Sequence, residues 1–270
     1  MDDENKNFIP PKNDRMFKAI FTENINCLKE FVSSLAGIPK GEMTDVKISN
    51  PELPISNKNS KMPRLDLVVE LKDKIVNIEI QLCKTKDFVN RSLYYGACIY
   101  SEVSAISHDY NYTPQTICIN VLDYIMFKND DLYKHSAYLT VKETKEEISD
   151  KLQLHFFELP KISEQLDSKN DVKLWLQFLK VKSRKELKMV EESGNSAVAE
   201  AAVAVMDKNS ELQKRIWKVQ QKMAKNDEIA ALYHAREDGK AEGIEQAKQE
   251  WINKIKNSGL PQEEIDKLLS

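Results

Sequence analysis

The stretch that decides the fold is RLDLVVELKDKIVNIEIQL, residues 64–82. Apolar and polar side chains alternate on both sides of a short polar turn, which is typical of a β-hairpin. Side chains two residues apart along a strand point to the same face of the sheet. Asp66 and Glu70 therefore share a face of the first strand, and Glu79 and Gln81 share a face of the second. The hairpin gathers carboxylates from two strands onto one face.

The turn leaves two registers of this hairpin open. A two-residue loop at 73–74 pairs Asp66 with Gln81. A loop at 72–73 pairs Asp66 with Glu79 instead. Either register brings the two carboxylates to neighbouring positions, where they repel each other unless a cation offsets their charge. The hairpin therefore predicts a site for a hard divalent metal, and the alternative is an edge hairpin whose polar face is merely solvated.

Four short sequence motifs occur in and around the hairpin. They are NDRMFK at 13–18, RLD at 64–66, NIEIQ at 77–81 and RSLYY at 91–95. Together with the Asp that precedes Glu-x-Gln on the next strand, these words resemble the Rpn-type recombination-promoting nucleases. Those proteins are transposase-like members of the PD-(D/E)xK nuclease superfamily. The resemblance covers roughly residues 10–125.

The resemblance implies both a fold and a function. The fold is α/β, a restriction-endonuclease-like αβββαβ core with a mixed sheet. The function is that of a metal-dependent DNA endonuclease, which hydrolyses phosphodiester bonds in recombination, mobile-element biology or defence. The implied metal ligands are Asp66, Glu79 and the main-chain carbonyl of Ile80, and the implied metal is Mg²⁺, with Mn²⁺ as a substitute. Two carboxylates suffice for Mg²⁺, which prefers oxygen ligands and keeps several waters.

Gln81 departs from the parent motif, which carries a lysine at this position. Glutamine can hydrogen-bond the attacking water but brings no positive charge. The candidates to supply that charge are Arg64, Arg91 and Lys18. The departure also favours an alternative function, a catalytically inactive nuclease scaffold that acts as an oligomerising interaction module.

Two pairs of residues with i,i+4 spacing are further candidates for the site. Asp14 and Lys18 begin the first predicted helix, where they either form a local ion pair or, following the resemblance, place an acid near the metal and an ammonium near phosphate. Arg91 and Tyr95 lie on the helix after the hairpin. We expect Arg91 to contact phosphate and Tyr95 to hydrogen-bond or stack on a base. The alternative is an aromatic core face beside a surface arginine.

The predicted elements divide the chain into an α/β part and an all-helical part. Residues 1–12 form a flexible lead, residues 13–160 the nuclease-like domain, and residues 161–270 a helical C-terminal region with a long charged helix at about 209–256. Within the domain we expect helices over 13–36 and 87–104, strands at 46–48, 115–123, 133–141 and 152–159, and the hairpin. The strand at 115–123 is mostly apolar, which favours a central, parallel position.

The long C-terminal helix carries Gly239 and Gly243 four residues apart. Each glycine destabilises an isolated helix by about 1 kcal/mol relative to alanine, but the pair forms a smooth face that permits close backbone approach. This pattern predicts a partner helix from a second copy, and hence a homodimer. The alternative is a solvated, frayed helix.

Composition bounds the remaining classes of function. No stretch approaches the roughly 18–20 apolar residues of a membrane span, and the acidic start lacks the apolar region of a signal peptide. We therefore expect a cytoplasmic protein without a membrane partner. A net charge of −3 disfavours a protein that coats nucleic acid by bulk charge, although a local basic patch can still contact DNA.

Overall fold

The computed structural model describes residues 8–49, 66–106, 109–209 and 211–256. Residues 1–7 of the predicted lead, Arg64 at the start of the hairpin, and a short helix expected near 262–269 lie outside the described residues. The chain divides into two compact units, Met1–Ser210 and Glu211–Ser270. Each unit is described by itself.

The first unit has the predicted α/β architecture. Its elements are α1 (Asp14–Glu23), α2 (Ile25–Ala36), β1 (Lys47–Ser49), β2 (Leu67–Glu70), β3 (Lys74–Gln81), α3 (Phe88–Ile106), β4 (Gln115–Leu122), β5 (Lys134–Thr140), β6 (Glu147–Glu158), α4 (Asp171–Lys180), α5 (Arg184–Glu191) and α6 (Ser196–Lys208). Up to β4, the elements follow one another as two α-helices, three strands, one α-helix and one strand. This order confirms the expected restriction-endonuclease-like core.

The six strands form one mixed sheet in the order β1-β2-β3-β4-β6-β5. Neighbouring pairs β1–β2, β2–β3 and β5–β6 are antiparallel, whereas β3–β4 and β4–β6 are parallel. Strand β4 lies inside the sheet and is buried from its second residue to its last, as its apolar sequence predicts.

The β2–β3 hairpin adopts one of the two predicted registers. Leu67 pairs with Ile78, and Val68 pairs with Asn77. The backbone N–H of Leu71 donates to the carbonyl of Lys74 at 2.8 Å, which closes a two-residue loop at 72–73. Continued by one residue, this register sets position 66 opposite position 79.

The single helix predicted over 13–36 is two helices. Helix α1 begins after Asn13, whose Oδ1 accepts from the backbone N–H of Met16 at 3.3 Å. The helical path breaks at Asn24, whose φ and ψ are −121° and 84°. Helix α2 then ends at Gly37, which has a left-handed φ of 72°. Apolar spacing continues across the break because both helices bury their aromatic residues in the same core, so periodicity alone conceals it.

That core also includes the first helix after the sheet. The Trp175 ring of α4 lies 5.8 Å from the Phe21 ring and 5.5 Å from the Phe31 ring, centre to centre. After α6, Asn209 Oδ1 accepts from the backbone N–H of Ile9 at 2.7 Å, and Asn209 Nδ2 donates to the Ile9 carbonyl at 3.1 Å. Contacts therefore continue past the predicted border at residue 160, and Ile9 of the predicted flexible lead is held by the residue that follows α6.

The second unit contains the predicted long charged helix, α7 (Glu211–Lys256). A Cβ atom added at Gly239 or Gly243 would meet nothing within 4 Å. The predicted homodimer through this helix stays a prediction. Over the described part of the chain, each helix is either too short or too polar to cross a bilayer.

Helix α3 covers the polar face of the hairpin. Ile99 and Tyr95 of α3 pack with Val68 of β2. Further along, Gly96 lets the helix approach β4 closely, since a Cβ there would lie 2.9 Å from Cys118 Sγ. The predicted alternative of a merely solvated polar face is therefore wrong for Asn77 and Glu79, which are buried, whereas Asp66 and Gln81 are half-buried.

Candidate active site

Asp66 and Glu79 meet at one edge of the enclosed face. Asp66 directly precedes β2, and Glu79 lies in β3. The backbone N–H of Asp66 donates to Glu79 Oε1 at 3.3 Å, and the backbone N–H of Ile80 donates to Asp66 Oδ2 at 3.0 Å. The hairpin thus orients both carboxylates through the other strand's backbone, and it brings together the two acids that the sequence singled out.

Burial makes this pair of carboxylates costly to ionise. Glu79 is 4% exposed. Burial, followed by the charge of Asp66, raises the pKa of Glu79 to about 8. Burial also raises the pKa of Asp66, although the nearby Lys18 and the N–H of Ile80 oppose that rise. Two adjacent anions in a dry site need a compensating cation.

Lys18 reaches the pair from helix α1. Its Nζ lies 2.8 Å from Asp14 Oδ1 and 3.4 Å from Asp66 Oδ1. The predicted local i,i+4 pair therefore forms, and Lys18 also contacts the acidic site, while the roles of Asp14 at a metal and Lys18 at phosphate stay predictions. Asp14 remains at the open side of the site, with its side chain 57% exposed.

The other predicted site residues have different surroundings in the structure. The Arg91 guanidinium lies 5.4 Å from the centre of the Phe88 ring, and its charge opposes the rise in the Glu79 pKa. Tyr95 is partly buried against the cluster of Val68 and Ile99, and its contact with a base stays a prediction. Gln81 ends β3 with a half-buried side chain, and its carbonyl accepts from the backbone N–H of Asp123 at 2.9 Å. Arg64 lies outside the described residues.

Strand β4 adds polar residues that the sequence analysis did not select. Asn120 is directly opposite Glu79 in the parallel register. Ser92 Oγ donates to Asn120 Oδ1 at 2.9 Å, which ties α3 to the sheet beside the acidic pair. Burial, together with the charge of Glu79, raises the pKa of the Cys118 thiol to about 12. The signal was present as alternation of Thr116, Cys118 and Asn120 with apolar residues.

The donors available for a metal are few but suitable. Among the described residues, no three His, Cys, Asp or Glu side chains are grouped so that they could hold an ion. The candidate set is two carboxylates with the predicted main-chain carbonyl of Ile80. An all-oxygen set of this kind matches what Mg²⁺ requires, with waters completing the shell. The residues fit a divalent metal.

The mixed sheet, the enclosed acidic hairpin and the flanking helices define a protein of the PD-(D/E)xK nuclease class. The sequence model of the PD-(D/E)XK nuclease family transposases matches residues 11–237. The chain belongs to this family. The match continues past the predicted border at residue 160 through α4–α6 and into α7. No curated protein and no solved structure gave a significant match.

Proposed function

We propose that the protein is a Mg²⁺-dependent endonuclease that hydrolyses phosphodiester bonds in DNA, with Mn²⁺ able to replace Mg²⁺. Family membership supports nuclease chemistry. The observation that carries the metal and the reaction is the buried, cross-strand pair Asp66 and Glu79, each tied to the other strand's backbone. A carboxylate pair of this kind favours a hard cation over any neutral ligand.

The proposed roles follow from position. Asp66, Glu79 and the Ile80 carbonyl hold the ion, and when bound it supplies positive charge to the phosphoryl and leaving oxygens. Gln81, two residues beyond Glu79 on the same face, hydrogen-bonds the attacking water. Asp14 adds negative charge at the open side of the site, where its side chain is exposed.

Nucleic-acid contact is assigned to basic residues beside this acidic pair. Arg91 is held over the Phe88 ring and directs positive charge toward Glu79, so a phosphate near Glu79 also lies near Arg91. Lys18, on helix α1, contacts Asp66 of this pair. Arg64 and Tyr95 complete the proposed contact set. The setting that fits a transposase-like nuclease is recombination, mobile-element movement or defence, in the cytoplasm.

Plasmid nicking tests the proposed activity. Wild-type protein should convert supercoiled plasmid to open circles with Mg²⁺ or Mn²⁺ and not with EDTA, and Asp66→Asn should abolish nicking. Asp73→Asn is the matched control, because Asp73 belongs to the same hairpin but its side chain is 71% exposed in the turn. Retained nicking by Asp66→Asn would remove the assignment. A parallel arm with single-stranded RNA of equal length shows whether the substrate is DNA.

Gln81 supports a second candidate function, an inactive nuclease scaffold that acts as an oligomerising module. The site would then lack the motif's cation, and the long helix α7 would carry the interaction. This alternative predicts no cleavage with any divalent ion and no rise in melting temperature with Mn²⁺. Because a ligand that binds only the folded state raises its stability, a thermal-shift scan separates the two candidates.

A further inference from the structure

We infer that Lys18, on helix α1, supplies the positive charge that the parent motif places at position 81. The inference rests on the proposed nuclease function and assigns a catalytic residue within it. The ammonium would contact the scissile phosphate or the attacking water, on the side of Asp66 that faces α1. The positive charge would then come from helix α1 instead of strand β3 but would act in the same site.

The geometry of α1 holds Lys18 at the acidic pair. The helix is capped by Asn13, and its buried face carries Phe17 and Phe21, which are at most 1% exposed. Lys18 follows Phe17 directly, so the packed aromatic face fixes where the lysine starts. Its Nζ lies between Asp14 and Asp66, at 2.8 and 3.4 Å.

Lys18 is suited to substrate contact as well as to holding carboxylates. A lysine ammonium has three donors and acts as a compact point charge, which suits a phosphate oxygen. Two of these donors are directed to Asp14 and Asp66. The side chain remains 33% exposed, so a phosphate that enters the site can reach it.

Two other described basic residues near the site, Arg91 and Lys12, are placed differently. Arg91 lies over the Phe88 ring and acts on Glu79 rather than on Asp66. Lys12 is engaged at 2.6 Å by Asp123, beyond the end of β4. Of the ion pairs found in the described part of the chain, the one that joins a lysine to the Asp66–Glu79 pair is that of Lys18.

The test compares Lys18→Met with Lys208→Met, using two readouts. Lys208, the last residue of α6, pairs through Nζ with Glu23 at 2.6 Å at the far end of α1, so its variant also removes one lysine and one ion pair to this helix. For Lys18→Met, we expect plasmid cleavage to fall about 100-fold, as on removal of one transition-state charge stabiliser. We also expect Mn²⁺ affinity, measured by calorimetry without DNA, to rise about fivefold, because a cation has left the carboxylates. Lys208→Met should change neither quantity.

The two readouts separate a catalytic role from a structural one. Cleavage by Lys18→Met within twofold of wild type would overturn the inference, as would a parallel loss of Mn²⁺ binding and cleavage, which would mean that Lys18 only maintains the fold of the site. Recovery of cleavage in the double variant Lys18→Met with Gln81→Lys would support it, since the charge returns to the motif position. Wild-type protein that neither binds Mn²⁺ nor nicks plasmid refutes the proposed function itself, whereas nicking that Lys18→Met retains refutes the role of Lys18 alone.

Discussion

Two buried glutamates on the same face of the sheet have opposite surroundings. Glu158, at the end of β6, is 0% exposed, and its Oε1 accepts backbone N–H groups from Met126 and Phe127. Lys161 Nζ lies 2.8 Å from its Oε2. Glu79 is almost as deeply buried, but its backbone donor is a single N–H at 3.3 Å, and the charge of Asp66 beside it outweighs the opposing charge of Arg91.

This difference separates a structural carboxylate from a candidate ligand. A buried carboxylate that receives several donors and a cation is compensated within the protein and closes a loop, as Glu158 does for residues 126–127. Glu79 is left with a pKa raised to about 8 by burial and by Asp66. The fold therefore favours the neutral form of Glu79, and a bound metal would favour its carboxylate form.

The largest expected contrast between the two glutamates is in cleavage. Glu79→Gln should lower plasmid nicking by about 10³-fold, because the neutral amide cannot hold a divalent ion that contributes several kcal/mol of charge stabilisation. Glu158→Gln should nick within a few-fold of wild type under conditions in which both variants are folded by circular dichroism. Equal losses in the two variants would mean that the distinction between them is false.

Stability should show the reverse contrast. Glu158→Gln should lower the free energy of unfolding by about 3 kcal/mol, because it weakens hydrogen bonds to two backbone N–H groups and removes the closer of the two carboxylates that pair with Lys161. Urea denaturation in EDTA measures this change. Glu79→Gln serves as the control and should be at least as stable as wild type without metal. A stable Glu158→Gln protein would argue against the structural role of this glutamate.

His155 extends the comparison to a buried base. Burial, with the nearby charge of Lys134, lowers the pKa of His155 to about 4, whereas an unfolded histidine titrates near 6.5. The unfolded chain therefore binds the proton first, so the stability that neutral His155 contributes is complete above pH 6.5 and is lost as pH falls toward 4. Between pH 7 and 5 the wild type should lose about 2 kcal/mol through this group. His155→Gln should flatten that part of the urea-midpoint profile, and an unchanged slope would contradict the assignment.

The sequence was most informative at the β2–β3 hairpin, where the alternation of apolar and polar side chains identified both strands and the acids on their polar face. Alternation could not choose between loops at 72–73 and 73–74, since both keep the apolar faces together. The structure selects the first, which sets Asp66 opposite Glu79.

Features that depend on tertiary packing were beyond the sequence. Cover of the polar face by α3 requires the close approach at Gly96, which has no local signature. The break at Asn24 is hidden because α1 and α2 share one core. Glu158 and Lys161 are ordinary residues that pair across three positions, but the donors from Met126 and Phe127 reach Glu158 because the loop after β4 folds back on β6. The same limit applies to Lys18, whose contact with Asp66 spans 48 positions.

The central claim is that Asp66 and Glu79 hold one divalent ion between them, and Mn²⁺ titration by calorimetry tests it most directly. Wild-type protein should bind one Mn²⁺, Asp73→Asn should bind it equally well, and Asp66→Asn and Glu79→Gln should each lose that binding while remaining folded. A site of unchanged affinity and stoichiometry in either of the last two variants would contradict the account.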